Sequence, residues 1–126
     1  MQFLYALART KPGGWLAWWI IAKMSILIPS RRLYETASLV AFNHPQPSYP
    51  VHILLVPKKH IVSLADLSMN DSRLIEDLLS AVHSLTLELD LDKIGYRLIV
   101  NGGAYQEFAR LHFHLVSGNA IPQNQS

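Results

Sequence analysis

Two histidines near the end of the chain have the spacing that places imidazoles side by side on a β-strand. His112 and His114 lie two residues apart in Leu111–Ser117, an apolar segment that predicts a strand. Because side chains alternate across a strand, its first face would carry Arg110, His112, His114 and Val116. The second face would carry only Leu111, Phe113 and Leu115. The segment therefore predicts a guanidinium and two imidazoles on one side of a strand whose other side packs in the core.

Three interpretations of the first face stay open on the residues alone. The face can be the solvated side of a sheet, where polar side chains are ordinary. It can bind zinc, since an H-x-H pair with a third histidine supplies nitrogen ligands, although the fixed charge of Arg110 disfavours a divalent ion. It can also bind an anion, with Arg110 on phosphate oxygens and a neutral imidazole that attacks phosphorus or passes protons. The anion site explains the whole face with one ligand, so neither a metal nor another cofactor is predicted.

The rest of the chain predicts the elements that hold this strand. Four further short strands are predicted at Arg32–Thr36, Leu39–Phe42, Val51–Val56 and Tyr96–Asn101. Asp71–Leu89 is predicted as the long helix, because apolar residues recur there at three- and four-residue spacing. The residues that carry this spacing are Leu74, Ile75, Leu78, Leu79, Val82 and Leu85. This order of elements predicts an α+β fold, with one long helix on an antiparallel sheet of about five strands.

The N-terminal residues differ in character from the rest of the chain. Trp15–Ile28 is apolar on every side of a helical wheel, which favours burial all round. The segment is shorter than the roughly 20 residues that a helix needs to span a bilayer. We expect an N-terminal helix that packs on the domain, on a partner protein or on a membrane surface. The side chains expected to make such contacts are Trp15, Trp18 and Trp19. The predicted division is residues 1–18 for this hydrophobic extension and 19–126 for the domain.

The composition limits the classes of function. With 126 residues, the chain is long enough for one domain with a core and too short for two. A net charge of +2 is too small to favour nucleic acid as the main partner. The absence of cysteine excludes disulfides and thiolate metal sites and is compatible with a reducing compartment. We therefore predict a cytoplasmic protein, with membrane association as an alternative for the N-terminal segment.

The motif around His112 resembles that of a known family. Gln106–Gly118 (QEFARLHFHLVSG) is similar to the histidine triad (HIT) motif, in which three histidines alternate with apolar residues, with Arg110 in place of the first. His52–His60 (HILLVPKKH) resembles the strand and PKxH segment of the same family, and Gly95–Asn101 also has a counterpart. Because several separated motifs occur in the family's order, the chain is identified as a HIT family member over roughly Trp19–Gly118.

The resemblance implies a fold, a ligand and roles for individual residues. Family members have an antiparallel sheet with two helices, are usually homodimers, bind purine nucleotides and cut a bond at the α-phosphate. The resemblance makes His112 the nucleophile, with His114 and His52 as the further catalytic histidines. The residues that it implies for nucleotide or phosphate binding are Arg110, Asn101 and Gln106.

Some residues depart from the family pattern, so two functions stay open. Arginine cannot lose its proton at physiological pH, so Arg110 can bind phosphate but cannot act as an acid or base. Glu107 would repel phosphate, and His44 stands where the family often has an acidic residue that binds ribose hydroxyls. The first hypothesis is an enzyme, a nucleotidyl hydrolase or phosphoramidase that uses His112. The second is a catalytically impaired accessory subunit that docks to a membrane or a larger complex through its N-terminal segment.

Overall fold

One antiparallel sheet forms the framework of the described residues, which are 31–107 and 109–122 of a computed structural model. Its strands are β1 (Arg32–Glu35), β2 (Leu39–Asn43), β3 (Val51–Pro57), β4 (Arg97–Ile99) and β5 (Phe113–Ser117). They lie in the order β1-β2-β3-β5-β4, and each neighbouring pair is antiparallel. The predicted α+β fold is therefore confirmed, and the strand with the paired histidines lies beside the central strand β3.

Two α-helices lie between β3 and β4 in the described part of the chain. The long helix α1 spans Ser72–Glu88, and the short helix α2 spans Leu91–Ile94. A capping box precedes α1, in which the Ser68 hydroxyl accepts a hydrogen bond from Asn70 N–H and the Asp71 carboxylate accepts one from Ser68 N–H. These bonds satisfy backbone donors at the start of the 3-10 turn Met69–Asp71, which leads directly into α1.

The apolar side of α1 packs on one face of the sheet. Leu74, Leu78 and Leu85 are buried against it, as the spacing predicts. Ile75 and Leu79, which share the apolar spacing, are 36% and 62% exposed. Successive helical residues turn by about 100°, so these two lie on the flank of a helix that touches the sheet along a narrower arc.

Alternate residues of β3 and β5 point to opposite faces of the sheet. Ile53, Leu55, Phe113 and Leu115 lie on the face under α1 and belong to the main core, so the apolar second face predicted for β5 is confirmed. The opposite face carries His52 and Leu54 from β3, and His114 and Val116 from β5. His52 is paired with Val116, and Leu54 with His114. This register makes the two histidines diagonal neighbours on one face.

The last two strands are shorter than the sequence predicts. β5 begins at Phe113 rather than Leu111, and β4 covers only Arg97–Ile99 of the predicted Tyr96–Asn101. Paired residues end at Leu55 opposite Phe113, while Leu111 N–H instead donates to the Ile61 carbonyl over 2.7 Å. Arg110 and His112 therefore precede β5.

The predicted N-terminal helix, its three tryptophans and the division at residues 18 and 19 lie outside the described residues. Among residues 31–107 and 109–122, no helix is long and apolar enough to cross a membrane.

Candidate functional site

A hydrogen bond joins the histidines of β3 and β5. His52 is buried, and its Nε2 lies 2.9 Å from His114 Nδ1. The other nitrogen of His52, Nδ1, accepts a hydrogen bond from Ser48 N–H over 2.9 Å. Since a backbone N–H can only donate, the neutral His52 ring carries its proton on Nε2 and donates it to His114. The proton of a neutral His114 is then on its own Nε2, which presents a second donor.

His112 has the opposite tautomer. Its Nδ1 lies 2.8 Å from the Arg110 carbonyl oxygen, which can only accept a hydrogen bond. The neutral ring therefore carries its proton on Nδ1 and its lone pair on Nε2. The ring centroid lies 4.9 Å from that of His114, at an interplanar angle of 67°. The neutral ring of His112, with an unprotonated Nε2, thus lies beside the neutral ring of His114, with a protonated Nε2.

A fourth imidazole, His44, belongs to the same cluster. Its ring centroid lies 4.4 Å from that of His52 and 6.3 Å from that of His114. Its Nδ1 accepts a hydrogen bond from Gln46 N–H over 2.9 Å, so the neutral ring carries its proton on Nε2. Reasoning from the sequence treated His44 only as a departure from a family pattern and did not place it against the other histidines.

The hairpin of β2 and β3 brings His44 to the cluster. Asn43 is paired with Ile53, and His44 N–H continues the ladder with a 2.8 Å hydrogen bond to the His52 carbonyl. A sequence signal for this contact exists, since two antiparallel strands around one loop bring together residues equally far from its middle. The loop between β2 and β3, residues 44–50, contains three prolines and has no regular structure, so its length gave no prediction of this contact.

The segment after β5 holds this loop in place. Ile121 N–H donates to the Ser48 carbonyl over 2.7 Å. Gly118 has a φ of +89°, and a Cβ atom there would lie 2.7 Å from Pro50 Cγ. The close approach requires a glycine, so the backbone that supports His44 and His52 rests directly on the end of β5.

Burial keeps the imidazoles neutral. It lowers the pKa of His114 to about 3, assisted by repulsion from His112, His52 and His44. The pKa of His44 falls to about 4, mainly through burial and then through repulsion from His52 and His112. Burial also lowers the pKa values of His52 and His112. At neutral pH, the cluster therefore offers hydrogen bonds and a lone pair rather than positive charge.

Comparison with known proteins assigns the family. Residues 26–121 match the model of the HIT domain. The chain belongs to the HIT domain family. It is 34% identical over 97 residues to an uncharacterized HIT-like protein of Buchnera aphidicola, a match that covers 75% of this chain and 87% of that protein. The family predicted from the separated motifs is therefore confirmed.

Solved structures support the same fold for this HIT domain. A HIT family hydrolase from Legionella pneumophila superposes with a TM-score of 0.68 at 34% identity, covering 79% of this chain and 88% of that chain. A histidine triad nucleotide-binding protein from Candida albicans superposes with a TM-score of 0.68 at 29% identity, covering 85% and 82%. The predicted HIT-like sheet and long helix are thus confirmed.

Arg110 of this HIT domain contacts the end of β3. Its Nη2 donates to the carbonyls of Pro57 and Lys58 over 3.3 and 3.2 Å. Its Nε is buried and has no hydrogen-bond partner among residues 31–107 and 109–122, and burial lowers the pKa of the guanidinium. The carbonyl of Arg110 orients His112, while its side chain joins the segment before β5 to β3. Whether phosphate also contacts the guanidinium stays a prediction.

The other two residues predicted to bind nucleotide lie in the loop after β4. Asn101 is exposed just beyond that strand. The amide of Gln106 donates from Nε2 to the Val62 carbonyl over 2.6 Å, which ties this loop to the segment after β3. Of the six predicted site residues, the structure thus brings His52, His112 and His114 into ring contact.

Metal binding receives no geometric support from the HIT cluster. In the described ranges, no group of three or more histidine, cysteine or acidic side chains is arranged to hold a metal ion. His44 and His52 each use Nδ1 to accept from a backbone N–H, and His52 uses Nε2 to donate to His114. The same nitrogens would have to give up these hydrogen bonds before they could ligate an ion.

Proposed function

We propose that this HIT domain binds a purine nucleotide and cleaves the bond between the α-phosphorus and its leaving group, with His112 as the nucleophile. One observation carries the proposal: the hydrogen bonds leave a lone pair on Nε2 of His112 and a proton on Nε2 of His114, and the centroids of these two rings lie 4.9 Å apart. The Legionella relative named as a hydrolase and the Candida relative named as nucleotide-binding support this choice of chemistry.

The proposed reaction has two displacements at phosphorus. His112 Nε2 attacks the α-phosphorus, a P–N bond forms, and the bond to the leaving amine or oxygen breaks as that group takes a proton from water. Water then displaces the imidazole, which releases the nucleoside monophosphate and restores the neutral ring. Through both steps His112 Nδ1–H donates to the Arg110 carbonyl, so the charge that develops on the ring is stabilised at its far nitrogen.

His114 and His52 act together in this proposal. His114 Nε2–H donates to an equatorial phosphate oxygen, where negative charge builds up in the transition state. His52 donates to His114 Nδ1 and is itself held by Ser48 N–H, so the donor ring has a fixed tautomer and orientation. A preorganised neutral donor stabilises the transition state without first having to lose a strongly bound water shell.

Arg110, Asn101 and Gln106 are proposed as supporting contacts of the nucleotide. A guanidinium keeps its proton, so Arg110 would act on phosphate by charge and hydrogen bonding alone. Asn101 would contact the ribose and phosphate, and Gln106 the phosphate. Since Gln106 also donates to the Val62 carbonyl, its role includes holding the loop on which these contacts depend.

A homodimer is proposed through the edge of the sheet at β4. This strand pairs with β5 on one side only in the described chain. Its surroundings expose large apolar side chains: Ile94 is 69%, Tyr96 48% and Leu98 39% exposed. An unpaired strand edge flanked by exposed apolar side chains can pair with the same edge of a second copy of the chain.

Light scattering tests this interface. Leu98→Lys should shift the measured molar mass toward that of the monomer, whereas Leu64→Lys should not. An unchanged mass for Leu98→Lys would contradict this interface.

Turnover of adenosine 5′-phosphoramidate tests the proposed reaction. His112→Asn removes the nucleophile but keeps an amide donor for the Arg110 carbonyl. We expect kcat/KM to fall by about 10⁴-fold or more with an unchanged Tm, as for nucleophile replacement elsewhere. Equal turnover by His112→Asn and the wild type would disprove the mechanism. A wild type that binds AMP but shows no turnover would instead support the catalytically impaired alternative.

A further inference from the structure

The side of the histidine cluster next to the β2–β3 loop offers a hydrogen-bond donor without a matching acceptor. His44 and His52 both use Nδ1 to accept from backbone N–H groups, of Gln46 and Ser48. His52 donates its remaining proton to His114. His44 Nε2–H makes no hydrogen bond to any described residue, and the ring is partly exposed. This donor is therefore available to a ligand.

The orientation of this donor is built into the loop. Three contacts hold His44. Its backbone N–H donates to the His52 carbonyl, its ring Nδ1 accepts from Gln46 N–H, and its ring packs against that of His52. The loop in turn rests on Ile121 and on Gly118. A side chain fixed by several contacts loses little conformational freedom when it binds, which is typical of a recognition group.

A hydrogen-bond donor at this position favours an anionic oxygen of the ligand, whereas an acceptor would favour a hydroxyl group. In Rossmann dinucleotide sites, a carboxylate hydrogen-bonds the ribose hydroxyls, whereas a nearby arginine accommodates a phosphate on the ribose, so exchanging an acceptor for a donor changes the preferred ligand group. An N–H donor binds an anionic oxygen about twice as strongly as a neutral one. The ring of His44 lies 6.3 Å from that of His114, the residue proposed to hold the α-phosphate. A second phosphate on the same nucleotide would lie at a comparable separation.

We propose that His44 is a specificity-determining residue that donates from Nε2 to a second phosphate of the bound nucleotide. The inference rests on the proposed function, because it takes the α-phosphate to lie at His112 and His114. The second phosphate can be the β-phosphate, on the leaving-group side, or a phosphate on the ribose, and both present the same anionic oxygens to the donor.

Equilibrium binding to the full chain at pH 7 tests this proposal. Calorimetric Kd values are compared for AMP, ADP and adenosine 3′,5′-bisphosphate, so that ADP and the bisphosphate distinguish the two sources of phosphate. For the wild type, we expect one of these two to bind about 10-fold more tightly than AMP, the range of a charge-assisted hydrogen bond.

Two variants of His44 separate its nitrogens. His44→Asn keeps an acceptor for Gln46 N–H and loses the outer donor, so the advantage of the second phosphate should fall to about twofold or less. His44→Gln keeps a donor near the position of Nε2, so most of the advantage should remain. An advantage that persists in His44→Asn would overturn the proposal, as would equal Kd values for all three ligands in the wild type. If AMP itself does not bind, the proposed function fails and the role of His44 fails with it.

Discussion

The two faces of β3 and β5 are made from alternate residues of the same strands, yet they serve different ends. Under α1, Leu55 and Leu115 are fully buried among other apolar side chains. On the opposite face, His52 and His114 are joined by a 2.9 Å hydrogen bond and surrounded by two more imidazoles. The first face stabilises by excluding water, whereas the second uses the same exclusion to keep imidazoles neutral.

This contrast shows how the fold and the site share their physical cause. Removing apolar side chains from water stabilises the folded state. Removing histidines from water disfavours their protonated form, so it destabilises the folded state under conditions where the unfolded chain would be protonated. A substitution on one face should therefore change stability and leave the chemistry of the folded fraction intact. A substitution on the other should change the chemistry with a smaller effect on stability. Variants on the two faces, and the response of stability to acid, test that separation.

The largest expected effect on stability lies under α1. Leu115→Ala removes a fully buried side chain opposite Ile53, so we expect the free energy of unfolding to fall by about 2–5 kcal/mol. Urea unfolding followed by circular dichroism measures this change. The kcat of the folded fraction should stay within about threefold of the wild type, because Leu115 lies on the face of the sheet opposite His52 and His114. A large loss of kcat with little loss of stability would break the comparison.

His114 allows a matched test of its two nitrogens. His114→Asn keeps an acceptor for His52 and loses the outer donor, so kcat/KM should fall by about 10²–10³-fold, as when an oxyanion donor is removed. His114→Gln keeps an outer donor and loses the acceptor for His52, so we expect a loss of about 10-fold. Steady-state turnover of adenosine 5′-phosphoramidate measures both. The reverse order would show that His114 acts mainly through His52.

Gly118 tests the support of the loop. An alanine there adds a Cβ atom 2.7 Å from Pro50 Cγ at a φ of +89°, so the backbone has to shift. We expect a loss of about 1–3 kcal/mol of unfolding free energy. Since Pro50 lies close to His52 along the chain, KM should rise as well. Thermal unfolding and turnover of Gly118→Ala measure both, and an unaltered Tm would show that the loop yields without cost.

The dependence of stability on acid tests the neutrality of the imidazole face. The folded chain holds the pKa of His114 at about 3 and that of His44 at about 4, while an unfolded chain protonates both near pH 6.5. Between those values the unfolded state binds more protons, so stability is full above about pH 6.5 and is lost as the pH falls. We expect the Tm to fall as the pH is lowered from 7 to 5, because the unfolded chain takes up protons on both histidines over this range and the folded chain does not. His44→Gln should reduce that drop, and a Tm independent of pH in this window would contradict the neutral cluster.

The sequence predicted the parts of this architecture that depend on local periodicity. The alternation of Leu111–Ser117 was sufficient to separate the core side chains from the histidines, and the apolar spacing of α1 located the helix. Features that depend on tertiary contacts were not predictable in the same way. The length of β5 depends on where its partner strand stops, and the exposure of Ile75 and Leu79 depends on how much of α1 the sheet covers.

In the candidate site, too, residues in local motifs were predictable and contacts that depend on tertiary structure were not. His52, His112 and His114 were predicted by motif and are brought together by strand register. The contact of the Arg110 guanidinium with the carbonyls of Pro57 and Lys58 joins residues more than 50 positions apart, which no local pattern encodes. His44 was missed as a member of the cluster because its position depends on the conformation of a proline-rich loop.

Nitrogen-15 NMR of the histidine rings tests the central claim most directly, because it reports which nitrogen of each imidazole carries the proton. At pH 7, we predict that His112 carries its proton on Nδ1, while His44, His52 and His114 carry theirs on Nε2. The rings of His44 and His114 should also stay neutral down to pH 5. A His112 protonated on Nε2, or a cluster that titrates near pH 6.5, would contradict the account.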